Sequence, residues 1–370
     1  MQKNILVRSI AALSGIVMLA SVAACGDNTA TTTDSTSKST PISGNFSGAG
    51  ASSQQAAVEA WIAGFQGTNP EAKIAYNPSG SGAGVQTFLT GATAWAGSDK
   101  ALADDEVEQS KSVCTEGTAF DVPVYISPIA VAFNLKGVSD AKHINMDAAT
   151  IAKIFDGKIT KWNDPAIADQ NKDLKLPDTA ITVVHRSDKS GTTQNFVSYF
   201  KDVTPDNWTY YLSENWPNEV GQGAKGTSGV ISTVKQADGT IGYADFSQVG
   251  DLGTVAVKVG DKYNEISAEA GSKVIGDSKQ DDTVKGDNRI VIKINHATEA
   301  EGAYPIVLVS YDIVCPAYKD TKQAEFAKAW LTYVTSDEGQ KAAQDAAGTA
   351  PLPSSLKSEI TKSIEAIKTK

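Results

Sequence analysis

Histidine and cysteine are scarce in this 370-residue chain, with three of each. That excludes a zinc ribbon or a cysteine-stapled mini-scaffold, which need clustered ligands or thiols at short spacing. A basic surplus is also missing: 33 Lys and Arg stand against 43 Asp and Glu, a formal net charge of −10. Nucleic-acid binders displace counterions with a cationic face, so no nucleic-acid partner is expected. There is no internal repeat at solenoid spacing. No Gly-x-Ser-x-Gly elbow surrounds Ser81, and residues 221–227 approximate a phosphate loop without its Gly-Lys-Ser/Thr ending. His143 and His296 lack acidic or cysteine companions at ligand spacing, so no metal or other cofactor is called for. His185 beside Arg186 reads as a structural strand-end histidine, and the chain as a non-enzyme. The six tryptophans form no stripe for a sugar or a base. What remains is ordinary: 41% hydrophobic and 21% charged residues, enough for a real core in about two domains at roughly 150 residues each.

The N-terminus reads as an address. Lys3 and Arg8 precede an uncharged, mostly apolar run over residues 10–24, too short for a comfortable membrane span but suited to a signal peptide. It ends Val22-Ala23-Ala24-Cys25-Gly26, which resembles a bacterial lipobox. There the Cys is acylated, palmitate included, and becomes the new N-terminus; a plain Ala-x-Ala site with a chance Cys is the alternative. The expectation is a signal peptide over 1–24, lipidation at Cys25, and a lipoprotein on the extracytoplasmic face of the cell membrane. Loss of Lys3 and Arg8 takes the charge from −10 to near −12. Between residues 29 and 40, six residues are Thr and three Ser, so residues 25–44 read as a flexible tether. Cys114 and Cys315 then remain as an even pair outside the cytoplasm, where a disulfide is permitted. Spacing alone leaves a disulfide and two buried thiols equally open.

Beyond the tether, strands and helices alternate. Ala57, Trp61 and Phe65 recur every four residues and predict a helix over 52–66, with Ser52 or Ser53 as its cap. Strands are predicted over 73–76, 122–135, 181–185, 241–243 and 304–314, and helices after 84, from 151, over 192–200 and 229–235, and around Phe326 and Trp330. This alternation implies an α/β fold with mostly parallel pairing. Residues 263–288 are polar and weakly patterned, a surface excursion.

Three small-polar loops precede predicted helices: Gly48-Ala49-Gly50-Ala51-Ser52-Ser53, Gly80-Ser81-Gly82-Ala83-Gly84, and Arg186-Ser187-Asp188-Lys189-Ser190-Gly191-Thr192. Each offers N–H groups and hydroxyls at a helix N-terminus, where partial positive charge favours an anion. One such loop is ordinary capping; three in one chain, one carrying Arg186 with its planar fork, point to an oxyanion site.

Together with Gly97-Ser98-Asp99 and Gly239-Thr240-Ile241-Gly242-Tyr243, these loops give the chain its family likeness. Over most of residues 45–355 it resembles the phosphate-binding lipoproteins that deliver phosphate to the Pst-type ABC importer. The resemblance implies a two-lobed, type II periplasmic-binding-protein-like α/β fold with two hinge crossings. It implies phosphate contacts from Ser52, Ser53, Ser81, Asp99, Arg186, Ser190, Gly191 and Thr192. Many relatives have Thr-Phe where this chain has Ser52-Ser53; the Ser52 hydroxyl replaces one group and the Ser53 N–H survives. Asp99 would accept the proton of hydrogen phosphate while meeting sulfate with lone pairs only. Asp188, two residues after Arg186, would either support it by orienting its guanidinium or cap the following turn. Lobe 1 is expected over 45–127 plus 311–370 and lobe 2 over 128–310. The partners implied are inorganic phosphate, the importer's permease subunits and through them its ATPase, and the membrane through the lipid anchor; the protein itself is expected to be a monomer. Sulfate or molybdate receptors, and a lipid-anchored phosphatase, are the alternatives.

Overall fold

The computed structural model describes residues 41–138 and 143–369. The expected signal peptide, Cys25 and the tether up to residue 40 lie outside them.

Strand β1 (Gly44–Gly50) leads to α1 (Gln55–Thr68), β2 (Ala72–Asn77) to α2 (Ser81–Leu89), and β3 (Trp95–Ser98) to α3 (Asp104–Gln109). The long β4 (Phe120–Asn134) is buried at every position before Asn134. After it come β5 (His143–Met146), α4 (Ala148–Phe155), α5 (Pro165–Ala168), β6 (Thr182–Arg186) and α6 (Gly191–Val203). Next are β7 (Gln222–Ala224), α7 (Gly226–Gln236), β8 (Thr240–Asp245), β9 (Gly253–Val259), β10 (Lys262–Asn264) and α8 (Ala268–Gly276). A short ribbon of β11 (Lys279–Gln280) and β12 (Ile292–Lys293) precedes β13 (Val307–Val314), followed by α9 (Thr321–Val334), α10 (Asp337–Ala347) and α11 (Lys357–Glu365).

The main sheet runs β2-β1-β3-β13-β4-β8-β6-β7, with β9 joining β4 and carrying β5 and β10. β4 is the seam. Residues Phe120 to Pro128 pair with β13, and residues Ile129 to Asn134 pair with β8. The sheet is therefore mixed, which corrects the expectation of mostly parallel pairing. Its outer pairs are parallel, as helical crossovers require. The long strands that carry the chain through the middle run antiparallel to their neighbours.

Helix α1 buries the face its sequence period marks. Ala57, Val58, Trp61 and Phe65 of α1 are buried and meet Phe326 and Trp330 of α9, with Phe65 and Trp330 ring centroids 5.7 Å apart. A second aromatic group forms around Phe155, Phe196, Phe200 and Tyr243, where Phe196 stacks on Tyr243 at 4.4 Å. Cys114 and Cys315 are joined in a disulfide across 201 residues of sequence. The polar stretch 263–288 is more than a surface excursion. Ser267 caps α8 by accepting from the Ala270 N–H at 3.0 Å. Val274 and Ile275 pack into a cluster with Ile126, Val307 and Val309. With only Val274 and Ile275 as large apolar residues, this nine-residue helix shows no clear period.

Candidate functional site

The sites flagged along the chain converge where α1, α2, α6 and α7 begin. The first loop is the end of a strand: Gly48 to Gly50 complete β1, which is pressed against β3 and α2. A Cβ at Gly84 would lie 2.2 Å from the Gly50 Cα, so the glycines let α2 lie against the strand. The expectation that Ser52 or Ser53 caps α1 is not met. Gln54 holds the N-cap position and no side chain closes that helix end. Both hydroxyls reach across the site instead. Ser52 Oγ accepts from the Thr227 N–H at 2.9 Å and lies 3.0 Å from Thr227 Oγ1, at the start of α7.

Asp99, just past β3, is the hub. Ser53 Oγ donates to its Oδ2 at 2.6 Å, Thr192 Oγ1 donates to the same oxygen at 2.8 Å, and Ser310 Oγ donates to Oδ1 at 2.7 Å. Its own N–H donates to Ser81 Oγ at 3.2 Å, and its carbonyl accepts from Asn195 Nδ2 at 2.7 Å. A Cβ on Gly191 would come within 2.8 Å of Asp99 Cβ and 2.9 Å of Ser81 Oγ. Position 191 must therefore be glycine for α6 to begin so close to Asp99. Burial pushes the Asp99 carboxyl above its ordinary range; the three hydroxyl donors and the Arg186 charge pull it back.

Arg186 ends β6 with its side chain only 2% exposed. Its Nε and Nη2 donate to the two oxygens of Asp188 at 2.8 and 2.5 Å, the forked geometry that suits guanidinium and carboxylate. Asp188 Oδ1 also accepts from the Gly226 N–H at 3.0 Å. Burial raises the Asp188 carboxyl, but its hydrogen bonds and the guanidinium charge outweigh that and hold it below the usual range. Ser190 caps α6, its Oγ accepting from the Thr193 N–H at 3.2 Å. The structure thus draws Ser52, Ser53, Ser81, Asp99, Arg186, Ser190, Gly191 and Thr192 into one buried cluster, with Asp188 beside Arg186.

Three residues of the cluster escaped the sequence reading: Gln54, Thr227 and Ser310. Thr227 ends the glycine-rich stretch 221–227, a local signal even without a phosphate-loop ending. Gln54 is one of four successive polar residues at a helix start and Ser310 lies in a mostly apolar strand, and neither has a local feature that points to Asp99. His185 stacks on Trp216 at 5.1 Å, and its Nδ1 lies 2.9 Å from the Arg186 carbonyl. Burial lowers its pKa below the usual histidine value. A cavity of about 840 Å³ lies elsewhere, lined by Lys328, Gln340, Leu352, Ile360 and their neighbours on α9, α10 and α11. Among the described residues no three His, Cys, Asp or Glu lie close enough to hold a metal ion. No described helix is long and apolar enough to cross a membrane.

The sequence matches the PBP superfamily domain over residues 35–338. It is 35% identical over 326 residues to phosphate-binding protein PstS 2 of Mycobacterium tuberculosis, covering 86% of each chain. It is 34% identical to phosphate-binding protein PstS of Xylella fastidiosa, covering 85% of this chain and 83% of that one. Among solved structures, a high-affinity periplasmic phosphate-binding protein bound with phosphate superposes with a TM-score of 0.68 at 20% identity, covering 86% of this chain and 93% of that chain. A phosphate-binding protein from Stenotrophomonas maltophilia superposes with a TM-score of 0.64 at 19% identity, with the same coverage of 86% and 93%.

Proposed function

Since the chain belongs to the PstS-type phosphate-binding proteins of the PBP superfamily, we propose that it is an extracytoplasmic receptor that binds hydrogen phosphate and delivers it to an ABC importer. One observation carries this reading: a buried Arg186, a buried Asp99 and the hydroxyls of Ser52, Ser53, Ser81 and Thr192 meet where four helices begin. Helix N-termini supply N–H donors and partial positive charge, and Arg186 supplies a full one. The hydroxyls of Ser53 and Thr192 donate to Asp99 in this structure, but an O–H rotates readily. Turned to phosphate oxygens, they free Asp99 Oδ2 to accept the ligand's proton. Hydrogen bonds to a charged group contribute about 1.5–3 kcal/mol each, so a handful holds the anion firmly. Thr227 joins the expected ligand set through its place against Ser52.

Lobe 1 comprises 45–127 plus 311–370 and lobe 2 comprises 128–310 in this proposal, with the hinge in β4 and β13. Two features support it. β4 changes partner from β13 to β8 after Pro128. The β13 register shifts between Ser310 and Tyr311. The side-chain bonds of the site, Ser52 to Thr227 and Thr192 to Asp99, then join opposite lobes. Opening about two strands would release them together.

The acidic surface does not oppose this function. At physiological salt the Debye length is about 8 Å, so distant carboxylates are largely screened, while Arg186 acts at contact distance in a lower dielectric. A sulfate or molybdate receptor would place a fully ionised anion against the Asp99 carboxylate, which disfavours it. A phosphatase would turn over phosphoesters. Equilibrium dialysis of the purified protein with labelled phosphate, against excess sulfate, decides among these. Stoichiometric phosphate binding that sulfate does not displace is expected; no binding, or hydrolysis of a phosphoester, overturns the reading. Acylation at Cys25, a monomeric state and handover to permease subunits complete the proposal.

A further inference from the structure

The Asp99 oxygen not shared with Ser53 and Thr192 is held by a chain of fixed polarity. Gln54 Nε2 lies 3.0 Å from the Tyr311 carbonyl oxygen and 2.9 Å from Ser310 Oγ. A backbone carbonyl only accepts, so the amide must present its NH₂ end there and give one hydrogen to each neighbour. The opposite flip would set two acceptors face to face, and the nearby Asp312 carboxylate favours the same orientation. Ser310 Oγ therefore accepts from Gln54. Its single proton is left for Asp99 Oδ1, at 2.7 Å. Gln54 and Ser310 are fully buried, so no solvent competes for these bonds.

We propose that Gln54 and Ser310 form a one-way hydrogen-bond relay that keeps Asp99 a proton acceptor, and that this relay sets the preference for a protonated oxyanion over sulfate. The proposal rests on the phosphate-receptor reading above. A buried carboxyl beside other acids tends to hold its own proton. Around Asp99 stand Arg186 of β6, Tyr76 of β2, Tyr125 of β4 and Asp245 of β8, with Asp312 of β13 on the far side of Gln54. Only Arg186 in that set favours the charged form. A protonated Asp99 would become a donor, would welcome sulfate, and would compete with the proton on phosphate. The Ser310 hydroxyl, aimed by Gln54, keeps Oδ1 an acceptor and stabilises the carboxylate more than the carboxylic acid, so it opposes protonation at Oδ2. Gln54 and Ser310 are thus positioning residues that act through Asp99.

The test is the ratio of phosphate to sulfate affinity from pH 5.5 to 8.5, by competition against labelled phosphate. Wild type in the same buffers carries the titration of phosphate itself. Ser310→Ala should lower the ratio about tenfold near pH 6, the effect of one hydrogen bond to a charged group. The deficit should shrink as pH rises and Asp99 ionises, moving the profile to higher pH. Gln54→Met should shift it the same way by less, since the Ser310 hydroxyl can still turn to Asp99, and Ser310→Thr should restore it. In Asp99→Asn, adding Ser310→Ala should leave the ratio unchanged. A folded Ser310→Ala protein with an unaltered profile, an equal loss at every pH, or the same loss in the Asp99→Asn background overturns the relay. If Ser310→Ala does not fold, an unshifted Gln54→Met profile overturns it alone. Wild-type protein that binds no phosphate would instead sink the receptor reading itself.

Discussion

Replacing Arg186 with alanine removes the one cation that the site holds in direct contact with its own carboxylate support. The guanidinium is 2% exposed and Asp188 is 12% exposed, at 2.5 Å from Nη2 to Oδ2. Two losses follow from that geometry. The bound anion loses a desolvated countercharge, and Asp188 is left beside it with its negative charge uncompensated. Removing one partner of a buried charge pair costs about 3–5 kcal/mol, or on the order of 10²- to 10⁴-fold in Kd. Isothermal titration with phosphate, on protein shown to be folded by circular dichroism, should therefore show binding nearly abolished. Arg186→Lys should recover only part, because an ammonium cannot make the forked contact. Arg186→Ala combined with Asp188→Asn should bind better than Arg186→Ala alone, since the second change removes the orphaned charge. A loss below threefold in Arg186→Ala would refute the site assignment.

Other outcomes follow from the same structure. Asp99→Asn should keep most phosphate affinity, because lost proton acceptance and relieved repulsion oppose each other, while sulfate affinity rises; an unchanged ratio in competition at pH 7 would show that Asp99 does not discriminate. Burial lifts the Asp312 carboxyl to about 7, with Trp330 Nε1 donating to one oxygen at 2.9 Å. A raised carboxyl stabilises the fold fully below its unfolded value near 3.9 and loses that contribution as pH rises through about 7. Asp312→Asn should thus melt above wild type at pH 8, with the gap narrowing as pH falls through about 7 and closing below about 4, as scanning calorimetry can check. Cys114 and Cys315 should resist alkylation until reductant is added. Reduction should lower the melting temperature, since the bond closes a loop of 201 residues, a constraint of about 5 kcal/mol in the chain-entropy description. Cys25→Ala should release the protein from the membrane fraction or block its processing; a variant that is still acylated would remove the lipobox argument.

What the sequence determined by itself is the part of this protein that depends on near neighbours. The α1 stripe of Ala57, Trp61 and Phe65 arises from the pitch of one helix. The loop from Arg186 to Thr192 carries a cation, an acid two residues on and small polar residues at a helix start within seven residues. Its anion-binding character was therefore legible in the sequence, while the fork to Asp188 and the cap by Ser190 came with the fold. Tertiary structure decided everything that joins distant segments. Cys114 meets Cys315 because two strand-linked loops come together, not because of their spacing. The antiparallel run of β4 against β13 and β8 depends on where a strand re-enters the sheet, which no local period encodes. The short helix α8 is held by Ile126 and Val307, apolar partners far away in sequence. Asp99 was visible as an acid in a loop, but its role as hub came only with Ser53, Thr192 and Ser310, drawn from three other elements. Hydrogen bonds between side chains 46, 93 and 211 residues apart leave no trace in local order. Packing alone creates them, because a buried polar group must find its partner wherever the fold brings one within 3 Å.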